Sequence, residues 1–133
     1  MIGKTNLDDF EVDESPQYIS VFRPENFDEN EKLSVIVWVH GGSYEIGCGD
    51  ILTADPTDWV KEQNIIVVAV SYRLGIFGFL GGTDEKPANL GLFDLIEALK
   101  WIKNNIIAFG GDSENITLFG QSSGGDAIAH LMI

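Results

Sequence analysis

The sequence predicts an α/β fold, a mostly parallel sheet with flanking helices, and three observations carry that expectation. Two nearly continuous apolar runs rich in β-branched residues, 34–39 (SVIVWV) and 65–70 (IIVVAV), suit strands buried on both faces. Residues 92, 95, 96, 99, 102, 106 and 107 are apolar at helical spacing. The segments alternate strand, helix, strand, helix, strand, turn and helix, which is the rhythm of βαβ units.

Each element has its own signal. Residues 1–16 are polar and acidic with weak periodicity, and are expected to be a loosely held N-terminal segment; residues 17–133 form the domain. Residues 17–23 (QYISVFR) alternate as a strand does, and the polar stretch 24–33 reads as a hairpin-like connection to the strand at 34–39. Residues 56–63 suit a short helix with Asp55 as N-cap and Pro56 at its first position. After the strand at 65–70, residues 71–90 read as a long loop, and the helix over 92–109 ends at Gly110 and Gly111. Residues 115–119 (NITLF) make a short strand, and helix resumes from Ser122.

Composition narrows the function. A chain of 133 residues supports one domain with a core. Its 21 acidic and 8 basic residues leave a net charge of −13, which disfavours nucleic acid as a partner, because phosphate binding needs clustered cations. No apolar run approaches the ~20 residues of a membrane span. The start lacks the apolar region of a secretory signal. The single cysteine, Cys48, has no partner within the chain and suits a reducing compartment, so the expected location is cytoplasmic. His40 and His130 have no neighbours at metal-ligand spacing, and no metal or other cofactor is implied.

Chemistry concentrates in three stretches. Gly120-Gln121-Ser122-Ser123-Gly124 is a G-x-S-x-G set between an apolar strand and a helix. In that setting the glycines allow a sharp turn that lifts the Ser122 hydroxyl above the sheet, at the positive end of the following helix. The alternative is an ordinary glycine-rich turn. His40-Gly41-Gly42-Ser43-Tyr44 follows the strand at 34–39, and its small residues let backbone N–H groups point into a cleft where acyl transfer develops negative charge. In the stretch 71–80 (SYRLGIFGFL), Arg73 suits an ion pair with Asp94 or Asp112. Phe77 and Phe79 either pack under the loop or line an acyl pocket.

Together, VIVWVHGGSY, IIVVAVSYRLGIFGFL and NLGLFDLIEALKWIKNNIIAFGGDSENITLFGQSSGG resemble the type B carboxylesterases of the α/β-hydrolase superfamily, in the style of the bacterial para-nitrobenzyl esterases. The resemblance runs from about Tyr18 to the last residue. It implies a partial α/β-hydrolase fold ending at the nucleophile helix, with Ser122 as nucleophile and the backbone N–H groups of Gly42, Ser43 and Ser123 as the oxyanion hole. It also implies a small ester as substrate and a structural role for His40. The family usually has Glu at the position of Gln121, Gly or Ala at Ser43, and Ala at Ser123. Near Pro16 it often has a disulfide cysteine, whose absence fits an intracellular bacterial form.

In this fold the acid and histidine of the triad follow the serine. Only Asp126 and His130 follow Ser122, and eight helical residues rise ~12 Å, against the ~3 Å a hydrogen bond requires. The chain is therefore expected to be a fragment, truncated, proteolysed or disrupted, and inactive alone. Its 115–119 strand should be left with an open edge, through which a homo-oligomer is expected to form. A non-catalytic interaction module on the same fold and a peptidase are the competing readings; retention of Ser122 speaks against the first.

Overall fold

The computed structural model describes residues 17–28, 30–49, 55–83 and 86–133, so the expectation for residues 1–16 lies outside the described residues. The elements are β1 (Ile19–Phe22), β2 (Leu33–Val39), α1 (Thr57–Gln63), β3 (Ile66–Val70), α2 (Gly75–Phe79), α3 (Leu90–Asn105), a 3-10 turn (Ile106–Phe109), β4 (Gly111–Gly120) and α4 (Ser123–Leu131). The strands form one sheet in the order β1-β3-β2-β4. β3 and β4 both run parallel to β2, and β1 runs antiparallel to β3. The α/β class with a mostly parallel sheet holds.

The core lies on one face of this sheet. Val37 is level with Val68 on one side and Leu118 on the other, so their side chains share a row. Val35, Val37, Val39, Val68 and Val70 are buried there against Leu95 and Ile102 of α3 and Ala127 of α4. β3 is buried at all five positions, as its apolar run requires. β2 is not: Ile36 and Trp38, on its second face, are only half-buried. On that face Trp38 packs on Phe119 with ring centroids 5.3 Å apart, and Trp59 of α1 meets Phe119 edge-on at 5.9 Å.

Four local expectations need correction. The connection 24–33 is no hairpin, because β3 stands between β1 and β2. α1 begins at Thr57 with Pro56 in the cap position, and Asp55 Oδ1 accepts the Thr57 N–H at 2.9 Å; proline can precede the first turn because it has no N–H to satisfy. The stretch 71–90 is not all loop, since α2 occupies five of its residues. Finally, the helix expected over 92–109 tightens to 3-10 geometry at its end. Three residues per turn rotate Ile106 inward and Ile107 outward, so Ile106 is buried and Ile107 is 53% exposed.

β4 is longer than the apolar 115–119 signal, starting at Gly111. Its ladder with β2 jumps from Leu33–Gly111 to Val35–Ile116, so the polar residues between bulge out, with Asp112 Oδ1 accepting the Glu114 N–H at 2.9 Å. The regular pairing over 116–120 delivers the end of β4 beside the end of β2. The 40–44 and 120–124 turns meet at that place.

Candidate active site

β4 ends at Gly120 and α4 begins at Ser123, leaving two residues for the turn. Gly124 N–H donates to Gln121 O at 2.9 Å, closing a tight turn whose first central residue is Ser122 at φ 53°, ψ −126°. These are the angles of a type II′ turn, where glycine is the usual occupant. A serine there holds roughly 1–3 kcal/mol of backbone strain. Strand and helix must meet closely for such a turn, and a Cβ on Gly120 would lie 2.5 Å from the carbonyl carbon of Gly124. Ser122 is exposed, and its Oγ makes no hydrogen bond among the described residues.

A second turn faces the first. The Gln121 N–H reaches Val39 O at 3.4 Å, which draws the end of β4 against the residues after β2. Gly41 lies in that contact: a Cβ there would stand 2.6 Å from Gln121 O and 3.0 Å from Ser122 Cβ. Gly42 (φ 117°), Ser43 (φ 57°) and Tyr44 (φ 61°) then run consecutively through positive φ, and Gly42 O accepts the N–H groups of Glu45 and Ile46 at 3.0 and 3.1 Å. No hydrogen bond engages the N–H groups of Gly42, Ser43 or Ser123 among the described residues. These are the three donors named from the resemblance, and they flank the serine turn.

Tyr44 is held at every polar atom. Its N–H donates to Ser123 Oγ at 3.3 Å, its carbonyl accepts the Gly75 N–H at 2.6 Å, and its phenol donates to Asp126 Oδ2 at 2.7 Å. Its ring packs on Phe79 with centroids 4.6 Å apart. Burial first, then the hydrogen bond and charge of Asp126, raise the phenol above its ordinary range.

His40 is fully buried. Its Nδ1 donates to Gly41 O at 2.8 Å, its ring stacks on Tyr72 at 4.6 Å, and its Nε2 is buried without a partner among the described residues. Burial therefore lowers its pKa, and the hydrogen bond to Gly41 opposes that only partly. A buried neutral ring spent on its own turn cannot take a proton from Ser122, which agrees with a structural role. Tyr72 donates from its hydroxyl to His40 O at 2.9 Å, and burial pushes its phenol up to about 12.

Arg73 pairs with Asp94, the first of its two expected partners. Nε and Nη2 donate to the two carboxylate oxygens at 2.7 and 2.6 Å, and the Arg73 backbone N–H adds a third bond at 3.1 Å. Burial pushes the Asp94 carboxyl up, but these donors and Gln17 outweigh it and hold it below its ordinary value. Asp112 is used locally, in the bulge of β4. The phenylalanines split: Phe79 packs against Tyr44 and the core, while Phe77 is 54% exposed.

His130 lies exposed on α4, with Nε2 3.5 Å from Asp126 Oδ2 one turn away. Among the described residues no group of three or more side chains could hold a metal ion, and no helix is long and apolar enough to cross a membrane. Tyr72 was not singled out in the sequence, and the contact between Tyr44 of the 40–44 stretch and Asp126, weighed there only as a triad candidate, was not foreseen. Only their adjacency to the two glycine turns marks them, because tyrosine and aspartate positions on a turn carry no periodicity.

The carboxylesterase family model matches residues 2–133. The chain is 45% identical over 118 residues to a para-nitrobenzyl esterase of Bacillus subtilis (strain 168), covering 86% of this chain and 24% of that protein. It is 39% identical over 124 residues to liver carboxylesterase 1F of Rattus norvegicus, covering 92% of this chain and 22% of the relative. Among solved structures, a thermophilic PNB esterase superposes with a TM-score of 0.82 at 44% identity, over 87% of this chain and 24% of that one. The chain thus spans about a quarter of the length of such relatives. With a family model matched over residues 2–133 and a fold that superposes on esterases of known structure, the chain belongs to the carboxylesterase family.

Proposed function

We propose that this chain carries the nucleophile and oxyanion donors of a carboxylic-ester hydrolase. One observation carries the reading: Ser122 stands at the tip of a strained turn, facing a second turn whose Gly42 and Ser43 N–H groups are unengaged among the described residues. Ser122 Oγ attacks the carbonyl carbon of a small ester, and its proton passes to a base. The carbonyl oxygen takes up negative charge and is stabilised by the N–H groups of Gly42, Ser43 and Ser123, each worth ~3 kcal/mol of barrier. Collapse expels the alcohol and leaves an acyl-serine that water then hydrolyses.

The base is not among the described residues, because His40 is buried in its own turn and His130 lies about 12 Å along α4 from Ser122. In isolation the serine of this chain is therefore chemically idle. The para-nitrobenzyl and liver carboxylesterase relatives support an ester as the substrate class. The reading places the chain in a bacterial cytoplasm, supported by the unpaired thiol of Cys48, and excludes nucleic acid as a partner on the charge of −13. Residues 17–133 are taken as one domain, because one core cluster draws on all four strands and on α3 and α4.

The test supplies the missing base. With imidazole added, para-nitrophenyl acetate should acylate Ser122, read by mass spectrometry of the peptide that contains it. The adduct should vanish in Ser122→Ala and be negligible without imidazole. Acylation of Ser122 no greater than that of exposed Ser34 refutes the reading. The open edge of β4 is the proposed contact for a second copy, supported by its terminal place in the sheet and the 49% exposure of Phe119. A strictly monomeric mass in solution scattering at high concentration refutes that part alone.

A further inference from the structure

We infer that the side chain of Ser123 is a positioning residue, which fixes the aim of the Gly42 and Ser43 donors by holding Tyr44. The purpose of those donors rests on the ester-hydrolase reading; the tether does not. Ser123 opens α4, where a serine hydroxyl ordinarily faces water or serves its own helix. Here the residue is 8% exposed, and its oxygen accepts the Tyr44 N–H at 3.3 Å, across 79 positions of sequence. The Tyr72 hydroxyl lies near that of Ser123 and donates to His40 O at 2.9 Å.

Two bonds thus hold the 40–44 turn at its ends: Tyr44 N–H to Ser123 Oγ, and Tyr72 O–H to His40 O. The first comes from the helix that follows the nucleophile, the second from the segment that leaves β3. The turn needs such a hold. Ser43 and Tyr44 are both non-glycine residues in left-handed backbone, a conformation that persists only where its surroundings enforce it. Tyr44 is the last of the three positive-φ residues, so fixing its N–H fixes the peptide planes before it. An alanine at position 123 keeps its own backbone donor but leaves the part-buried Tyr44 N–H without that acceptor.

Amide hydrogen exchange tests the tether on the chain itself, resolved by residue in nuclear magnetic resonance spectra. Ser123→Ala should speed exchange at Tyr44 by about tenfold, with Val37 and Val68 unchanged. Ser123→Thr, which restores the hydroxyl, should restore slow exchange. Ser123→Cys, close in size but a weak acceptor, should also speed exchange, so a Ser123→Ala chain that fails to fold still leaves a decisive variant. Unchanged Tyr44 exchange in the folded Ser123→Ala chain, or in Ser123→Cys where Ser123→Ala does not fold, overturns the inference. Imidazole-assisted acylation of Ser122 should fall in Ser123→Ala and return in Ser123→Thr. If the unsubstituted chain is not acylated at all, the ester reading fails, and Tyr44 exchange still decides the tether.

Discussion

The phenol of Tyr44 donates a 2.7 Å hydrogen bond to Asp126 Oδ2, joining the turn after β2 to the helix after β4. The two residues lie 82 positions apart, yet the parallel pairing of β2 with β4 delivers both to one end of the sheet. Burial and the Asp126 carboxylate both keep the proton on Tyr44. Asp126→Asn should therefore lower the pH at which Tyr44 ionises, followed by phenolate absorbance against a Tyr44→Phe blank. No change would remove Asp126 as a cause. Tyr44→Phe should cost about 0.5–1 kcal/mol in urea denaturation, since the bond is solvent-exposed.

Ser122 stands where glycine belongs, at φ 53° and ψ −126°. Ser122→Gly should raise stability by about 1 kcal/mol, the strain released less the entropy glycine loses on folding. Ser122→Ala keeps the Cβ and should leave stability nearly unchanged. Equal unfolding midpoints for the two variants would show that the turn holds no strain.

Gly41 leaves no room for a side chain between the two turns. Gly41→Ala should destabilise by roughly 1–3 kcal/mol, because backbone rather than a flexible side chain must move. Gly81→Ala is the control, since a Cβ there meets nothing within 4 Å. The comparison is by thermal melting, and matching melts would contradict the close approach.

His40 is neutral in the fold, with burial holding its pKa below the ordinary 6.5. Unfolding lets it take up a proton below that value, so its contribution is full above 6.5 and is lost as pH falls toward the folded pKa. The slope for one proton is at most about 1.4 kcal/mol per pH unit. Denaturant midpoints should fall between pH 7 and 5, and His40→Gln should flatten that decline. A slope that persists in the variant assigns it to other groups.

The Arg73–Asp94 pair locks α3 to the segment after β3. Asp94→Ala should cost about 2–3 kcal/mol by removing an acceptor of charge-assisted bonds. Arg73→Lys should recover only part of it, because an ammonium cannot reproduce the two-pronged contact. With its folded pKa below 3.8, Asp94 stabilises the fold above that pH, and the contribution is lost as pH falls through the lowered value. Full rescue by lysine would show that charge alone carries the contact.

The legible parts of this fold were those in which pattern and burial share a cause. The runs of β2 and β3 and the spacing of α3 were legible because most of their apolar side chains pack into the core, with Ile36, Trp38 and Ile107 among the exceptions. The placement of β1 was not legible: alternation marks a strand but does not name its neighbour, and the polar 24–33 stretch serves a hairpin or a crossing equally well. Five residues of α2 with two glycines carry too little periodicity to show. At the site, the two glycine-marked turns were legible, while Gly42, Ser43 and Ser123 were named as donors from the family resemblance. The Tyr44–Ser123 and Tyr72–His40 bonds were not legible, since each joins distant segments by a single hydrogen bond that leaves no repeat in the sequence.

The strand order also dictates when the sheet can form. β1 and β2 are made first, but neither is the other's neighbour, and both lie against β3. In order of synthesis neither strand has a ladder partner until residues 66–70 follow, and β2 gains its second, β4, later still. The loop-closure cost is met before any sheet contact rewards it. A ribosome-bound chain that stops short of β3 thus carries two apolar strands with nothing to pair them. The central strand is the gate of assembly, and a substitution that weakens Ile66–Val70 should slow folding more than an equally destabilising one in α4.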